Sequence, residues 1–321
     1  MGRFRTILLA GVLCALIAVT GSAGGQGEDG GGGTGGEAAT ESGSLEVFVS
    51  IQPQKYFVER VAGSDAQVSV MVPPGKEPHS YEPTPRQVSR LSEADVYFRI
   101  GVPFEEAFIP RIARSLEELM IVDTTEDITL RRLDAHDHGA DHGHDDDHGH
   151  DEHEAEEAGG ALDPHVWLGP LQVKEIAASI RDALISLRPA REAAYRENYE
   201  EFAADIDALH EEFSTELAPY DGETMFVFHP SFGYFADTYG LDQEAVEIGG
   251  NEPSAAQLER IVEEARSEGV QVIFVQPQFS RDSAERVAAA IDGAVIAIDP
   301  LAEDWMSNMR TIAERVREGL D

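Results

Sequence analysis

The chain has 321 residues, 42% of them hydrophobic, enough for one large or two medium cores. Its 61 acidic residues against 24 basic ones give a formal charge of −37, which argues against a nucleic-acid partner. Cys14 is the only cysteine, so no intramolecular disulfide and no cluster of thiol ligands exists.

Residues 1–25 are laid out as a secretory signal: Arg3 and Arg5, an apolar run from Ile7 to Thr20, and small residues from Gly21 to Gly25. That run is shorter than the ~20 residues of a membrane span. An extracytoplasmic protein is expected, cleaved after the signal or held by it as an uncleaved anchor. Cys14 sits in the middle of the run, which argues against a lipidated cysteine. Residues 26–44, rich in Gly with scattered acids, read as a flexible tether.

From Leu45 strand-like and helix-like segments alternate. Strands are expected over 45–51, 67–72, 96–100 and 120–122, and helices over 53–61, from Pro85 with Thr84 as cap, and over 104–116. This βα alternation predicts a mostly parallel sheet covered on both faces, a first lobe that continues to residue 187 through a helix over 171–187. The lobe is interrupted by a loop at about residues 124–161. There, Asp134 to Glu157 is 24 residues of almost nothing but imidazoles and carboxylates, with His136, His138, His142, His144, His148, His150 and His153. Without an apolar side chain larger than alanine, the tract cannot offset the entropy of ordering its backbone, and it reads as a mobile loop. Neutral imidazole and carboxylate at this density form a loose, auxiliary net for divalent transition metals. Without the tract's 11 acids the charge is still −26.

Residues 188–218 carry a helical pattern free of Gly and of internal Pro, with apolar residues at 195, 199, 202, 206, 209, 213 and 217. At 1.5 Å per residue this is a rigid strut of roughly 45 Å, with a break near Asp205 to Asp207 as the alternative. Residues 219–321 then repeat the first lobe. Strands are expected over 225–228, 245–248, 270–275 and 294–298, and helices over 232–239, 254–267, 280–291 and 304–319, with Ser254 capping one of these and Gly269 ending it. The expected fold is α/β, two lobes of mostly parallel sheet flanked by helices, joined by one long rigid helix.

Outside the tract stand His79, His165, His210 and His229. His210 lies inside the long helix and reads as a surface residue. The other three sit beside proline-containing turns, and Asp299 ends a strand-like run before Pro300. Ligands of open α/β sheets bind beyond the carboxyl ends of strands, so these four positions converge on the cleft between the lobes. Three imidazole nitrogens and one carboxylate oxygen suit tetrahedral Zn²⁺ better than six-coordinate Mn²⁺. With all four bound, no position is open for an activated water, which points to capture rather than catalysis.

Several ordered motifs resemble the metal-binding solute-binding proteins of ABC importers, the cluster A-I family, and within it the zinc-specific, ZnuA-like branch. They are Pro78-His-Ser-Tyr-Glu-Pro83, Asp163-Pro-His-Val-Trp-Leu168, His229-Pro-Ser-Phe-Gly-Tyr-Phe235, Glu252-Pro-Ser254, Val272 to Phe279, and Ile298-Asp-Pro-Leu301. The resemblance spans about residues 45–320. It implies histidine ligands at His79, His165 and His229, and histidine rather than glutamate at the third position favours zinc. It implies Asp299 as a fourth ligand in many members, with a water or a nearby acid, here Glu77, as its rival. It further implies a monomer that delivers Zn²⁺ as cargo to a permease and its ATPase, and a His-rich acidic loop where the tract lies. Trp167 and Tyr81 read as packing residues beside the site. The competing readings are manganese or iron as cargo of the same fold, a metal-buffering or adhesion protein, and a secreted zinc hydrolase. Against the last, Asp147 follows His142, His144 and Asp146 where a third histidine is needed, and no H-E-x-x-H helix occurs.

Overall fold

The computed structural model describes residues 43–133, 161–247, 255–267, 269–279 and 281–321. The expected signal, nearly all of the tether, the His-rich tract and the Ser254 cap lie outside them. Among the described residues no helix is long and apolar enough to cross a membrane.

Two four-stranded, all-parallel sheets carry the fold. The first comprises β1 (Leu45–Val49), β2 (Ala66–Val70), β3 (Val96–Arg99) and β4 (Met120–Asp123), in the order β2-β1-β3-β4. The second comprises β5 (Thr224–Val227), β6 (Asp242–Ala245), β7 (Val272–Val275) and β8 (Ala294–Ala297), in the order β6-β5-β7-β8. The two orders are the same, so the second lobe repeats the first. Central strands are flanked on both edges and covered on both faces, hence their apolar runs. Val47 lies between Val68 and Val96, and Val227 between Ala245 and Phe274.

The helices are α1 (Gln52–Ala62), α2 (Pro85–Leu91), α3 (Phe104–Ala113), α4 (Pro170–Leu187), α5 (Glu192–Leu217), α6 (Gly233–Tyr239), α7 (Ala255–Ser267), α8 (Arg281–Ala290) and α9 (Trp305–Leu320). Thr84 caps α2 in a reciprocal box with Gln87, with Pro85 in the first turn, as expected. α5 is 26 residues long and runs unbroken through Asp205 to Asp207, about 39 Å from end to end.

One expectation needs correction. β6 starts at Asp242, three residues before the predicted strand over 245–248. Gly240, in the left-handed region at φ +72°, ends α6, and the chain pairs with β5 at once. β6 is an edge strand, so its polar Asp-Gln-Glu start is tolerated where an apolar run was sought. Pairing continues as Val246 N–H donates to Val227 O and Glu247 N–H to Phe228 O. The long joining helix is present as expected, and its buried face of Tyr195, Phe202, Ile206, Leu209, Phe213 and Leu217 belongs to one hydrophobic core shared by both lobes. That core includes Phe57 of α1, Ile176 of α4, Phe235 of α6 and Trp305 of α9. A smaller cluster around Phe228, Ile261, Ile273 and Val287 packs the second sheet against α7 and α8.

Candidate metal centre

Three segments bring histidines to the carboxyl-end side of the sheets. His229 lies two residues past the end of β5, next to the point where the strand order of the second sheet reverses. Gln276, just past β7, fixes its backbone in both directions: the Gln276 amide donates to His229 O at 2.7 Å and accepts from His229 N at 3.2 Å. His79 arrives on the loop after β2, beyond a turn in which Gly75 takes φ +72°. His165 precedes a 3₁₀ turn, Val166–Leu168, that leads into α4.

The three rings converge. One ligand atom from each lies within 4.8 Å of the others, and the ring centroids are 4.8–5.4 Å apart. His165 Nε2 and His229 Nε2 are 3.3 Å apart. A tetrahedral zinc ion with bonds of 2.0–2.1 Å sets its nitrogen ligands about 3.3 Å from one another, so this pair already has the spacing of two ligands.

Each ring is also turned the right way. The Glu77 carboxylate accepts from His79 Nδ1 and from His79 N. Asp163 Oδ1 accepts from His165 Nδ1 at 2.7 Å and from His165 N at 3.0 Å. Glu247 Oε2 accepts from His229 Nδ1 at 3.0 Å. An Nδ1–H held by a carboxylate leaves the Nε2 lone pair for a metal, and raises its basicity. Two of the three carboxylates belong to one local device, the acid-Pro-His turns Glu77-Pro78-His79 and Asp163-Pro164-His165. The third comes from 18 residues downstream, at the end of β6. Sequence reasoning missed all three supporting roles: it weighed Glu77 as a ligand, gave Asp163 no role of its own, and had no local spacing that ties Glu247 to His229.

Asp299 does not join the three-histidine group. Its Oδ1 accepts from Leu301 N at 3.0 Å and from Gln278 Nε2 at 2.8 Å, closing the turn around Pro300. Glu77 lines the pocket, but both of its oxygens are engaged, Oε1 by His79 and Oε2 by Ser80. His210 is half-buried rather than a free surface residue, with Nδ1 3.2 Å from the Tyr239 hydroxyl. Trp167 is buried and stands edge-on to His165, forming a wall of the pocket, while Phe279 stacks on His229 at 4.6 Å. Tyr81 packs on Phe104 and donates to Gln87, outside the pocket lining. The seven histidines of the tract lie outside the described residues.

Burial pushes His165 down to about 4 against the opposing pull of Asp163, so the ring is neutral and ready to ligate at neutral pH. Burial also opposes the Glu77 charge, yet hydrogen bonds from His79 and Ser80 outweigh it and hold that carboxyl at about 2. The His165 shift has a thermodynamic consequence. Its folded value lies below the unfolded one near 6.5, so the unfolded chain binds more protons between the two. Metal-free protein should therefore lose up to about 3 kcal/mol from this group as pH falls from about 6.5 to 4, with no further loss below. Urea unfolding of chelator-treated wild type and His165→Asn across that range checks this: the variant should lack this part of the slope.

A family model for the periplasmic zinc-uptake complex component A, ZnuA, matches residues 47–319. The high-affinity zinc uptake system protein ZnuA of Bacillus subtilis is 27% identical over 278 residues, covering 85% of this chain and 83% of that protein. The zinc-binding protein AdcA of Streptococcus pyogenes is 26% identical over 289 residues, 86% of this chain; the match spans just over half, 56%, of that longer protein. A crystal structure of ZnuA superposes with a TM-score of 0.76 at 33% identity, covering 87% of this chain and all of that one. A deletion mutant of ZnuA with zinc bound matches with the same TM-score and identity, over 98% of its length. With a family model matching nearly all of the two-lobed unit, the chain belongs to the ZnuA family of periplasmic zinc-uptake components.

Proposed function

We propose that this protein captures Zn²⁺ outside the cytoplasmic membrane, as a monomer, and hands it to an ABC importer made of a permease and an ATPase. The observation that carries this reading is the 3.3 Å Nε2 to Nε2 spacing of His165 and His229 beside His79, each ring with its Nδ1 on a carboxylate. Nitrogen-rich coordination selects zinc over manganese. The family and the zinc-named relatives support the same cargo and the importer as partner. The fourth position goes to Asp299 only if its carboxylate leaves Leu301 and Gln278, and otherwise to water. Capture rather than hydrolysis is the reading the family supports, and Glu77, Asp163 and Glu247, the acids that contact the histidines, each spend one oxygen on an Nδ1 proton.

The tract acts as an auxiliary collector that raises the local metal concentration near the cleft. Calorimetry with Zn²⁺ and Mn²⁺ in competition tests the assignment, with one tight zinc per chain as the expected result. Deleting residues 134–157 should lower total stoichiometry and leave that tight zinc in place. Loss of all tight binding on deletion would move the main site into the tract.

A further inference from the structure

We propose that Arg131 is a positioning residue that sets the spacing of His165 and His229 by tying the first lobe's ligand turn to the second lobe's α6. The inference rests on the reading of the three histidines as a zinc site. Arg131 lies in the segment between β4 and α4, where Arg132 and Leu162 form an antiparallel bridge, Leu133 N donates to Ala161 O, and Asp163 N donates to Arg131 O. Its guanidinium reaches two acids on different lobes. Nη1 donates to Asp163 Oδ2 at 3.0 Å, the carboxylate whose other oxygen holds His165 Nδ1. Nε and Nη2 donate to Asp237 of α6 at 2.8 and 3.3 Å. A third link runs through Tyr234 of α6, whose hydroxyl accepts from Arg131 N at 3.1 Å and donates to Asp163 O at 2.9 Å.

α6 begins four residues after His229, so these bonds join the support of one ligand to the chain that carries the next. The sequence keeps the space this requires: a Cβ on Gly233 would lie 1.8 Å from Arg131 Nη1 and 2.9 Å from Asp163 Oδ2. The glycine of the His229-Pro-Ser-Phe-Gly motif is thus accounted for by the guanidinium crossing over it. Only the planar fork of arginine can serve both acids at once; a lysine is a single point charge. Asp163 is fully buried, so its arm of the link is held firmly, whereas Asp237 is largely exposed.

The test compares full-length wild type with Arg131→Lys, Asp237→Asn and Gly233→Ala. Arg131→Lys keeps a cation for Asp163 and gives up the bridge. Asp237→Asn weakens the α6 anchor at an exposed side chain and leaves the Asp163 pair untouched. Zinc affinity should fall by about tenfold or more in Arg131→Lys and Gly233→Ala, the scale of a lost supporting partner, and by a smaller but measurable factor in Asp237→Asn. The visible absorption of Co²⁺-loaded protein should shift in Arg131→Lys and Gly233→Ala, with the metal-free circular dichroism of Arg131→Lys and Asp237→Asn close to wild type. Zinc affinities within twofold of wild type in all three would overturn the proposal. A loss in Arg131→Lys with Asp237→Asn unchanged would also overturn it, since Arg131 would then act only through the charge of Asp163. Wild type that binds no zinc tightly is a separate result, and it would remove the metal-site reading itself.

Discussion

Replacing His229 with alanine is expected to abolish tight zinc binding, and replacing Glu247 with alanine to weaken it by about tenfold to a hundredfold. His229 supplies one of the two nitrogens already at ligand spacing, and no other described histidine or acid stands in that group to take its place. Glu247 touches only the far side of the same ring, so its loss leaves the donor present and unaimed. The ring could then turn, or carry its proton on Nε2, and either event removes the lone pair from the site. Glu247 is 6% exposed and its Oε1 has no hydrogen-bond partner among the described residues, unlike the second oxygens of Glu77 and Asp163. It therefore keeps a buried charge less compensated than its two counterparts, an arrangement that costs stability and favours a nearby cation. Glu247→Gln keeps a carbonyl for His229 Nδ1 without the charge and should fall between wild type and Glu247→Ala. Competition titration against a zinc chelator reads all three affinities. A Glu247→Ala protein with wild-type affinity would show that Phe279 stacking and the Gln276 backbone clamp suffice to aim the ring.

The parts of the site that were legible in the sequence are those encoded locally. His79 and His165 each follow an acid and a proline, and the turn that sets the ring also sets its carboxylate, within two residues. His229 was legible because it ends the apolar run of a central strand, where parallel sheets place ligands. Glu247 was not, since its contact depends on the register of β6 against β5, and the polar start of that edge strand hid where pairing begins. Asp299 shows an ambiguity that local pattern leaves open: its residue type and strand-end position fit a ligand, but the same features fit a carboxylate that caps its own turn, and the amide of Leu301 is only two residues away. The βα alternation, the cap of α2 and the unbroken run of α5 all follow from short-range patterns. What the helical period of α5 could not reveal is what covers its apolar stripe, because that depends on elements more than a hundred residues distant.

Those distant contacts underlie the largest expected effect on stability. Trp305→Ala should cost about 3–5 kcal/mol, the usual range for emptying a buried tryptophan site. Trp305 is 1% exposed at the start of α9, edge-on to Phe57 of α1 at 5.4 Å and to Phe202 of α5 at 6.5 Å. Its indole N–H donates to Trp167 O at 2.7 Å, while the Trp167 indole donates to Pro300 O at 2.7 Å. This reciprocal pair fastens the carboxyl-terminal segment to the chain just after His165, so the second lobe's last helix helps to complete the first lobe's core. Trp305→Phe separates the two contributions: most of the ring packing survives, but Trp167 O loses its donor in a buried place, for about 1–3 kcal/mol. Urea unfolding followed by circular dichroism and by fluorescence should give one coincident transition in wild type, shifted to lower urea in both variants. Two separate transitions in wild type would mean that the lobes fold independently and that α5 is, after all, only a strut. A single transition makes the lobes one cooperative unfolding unit, as a hydrophobic core shared across α5 requires.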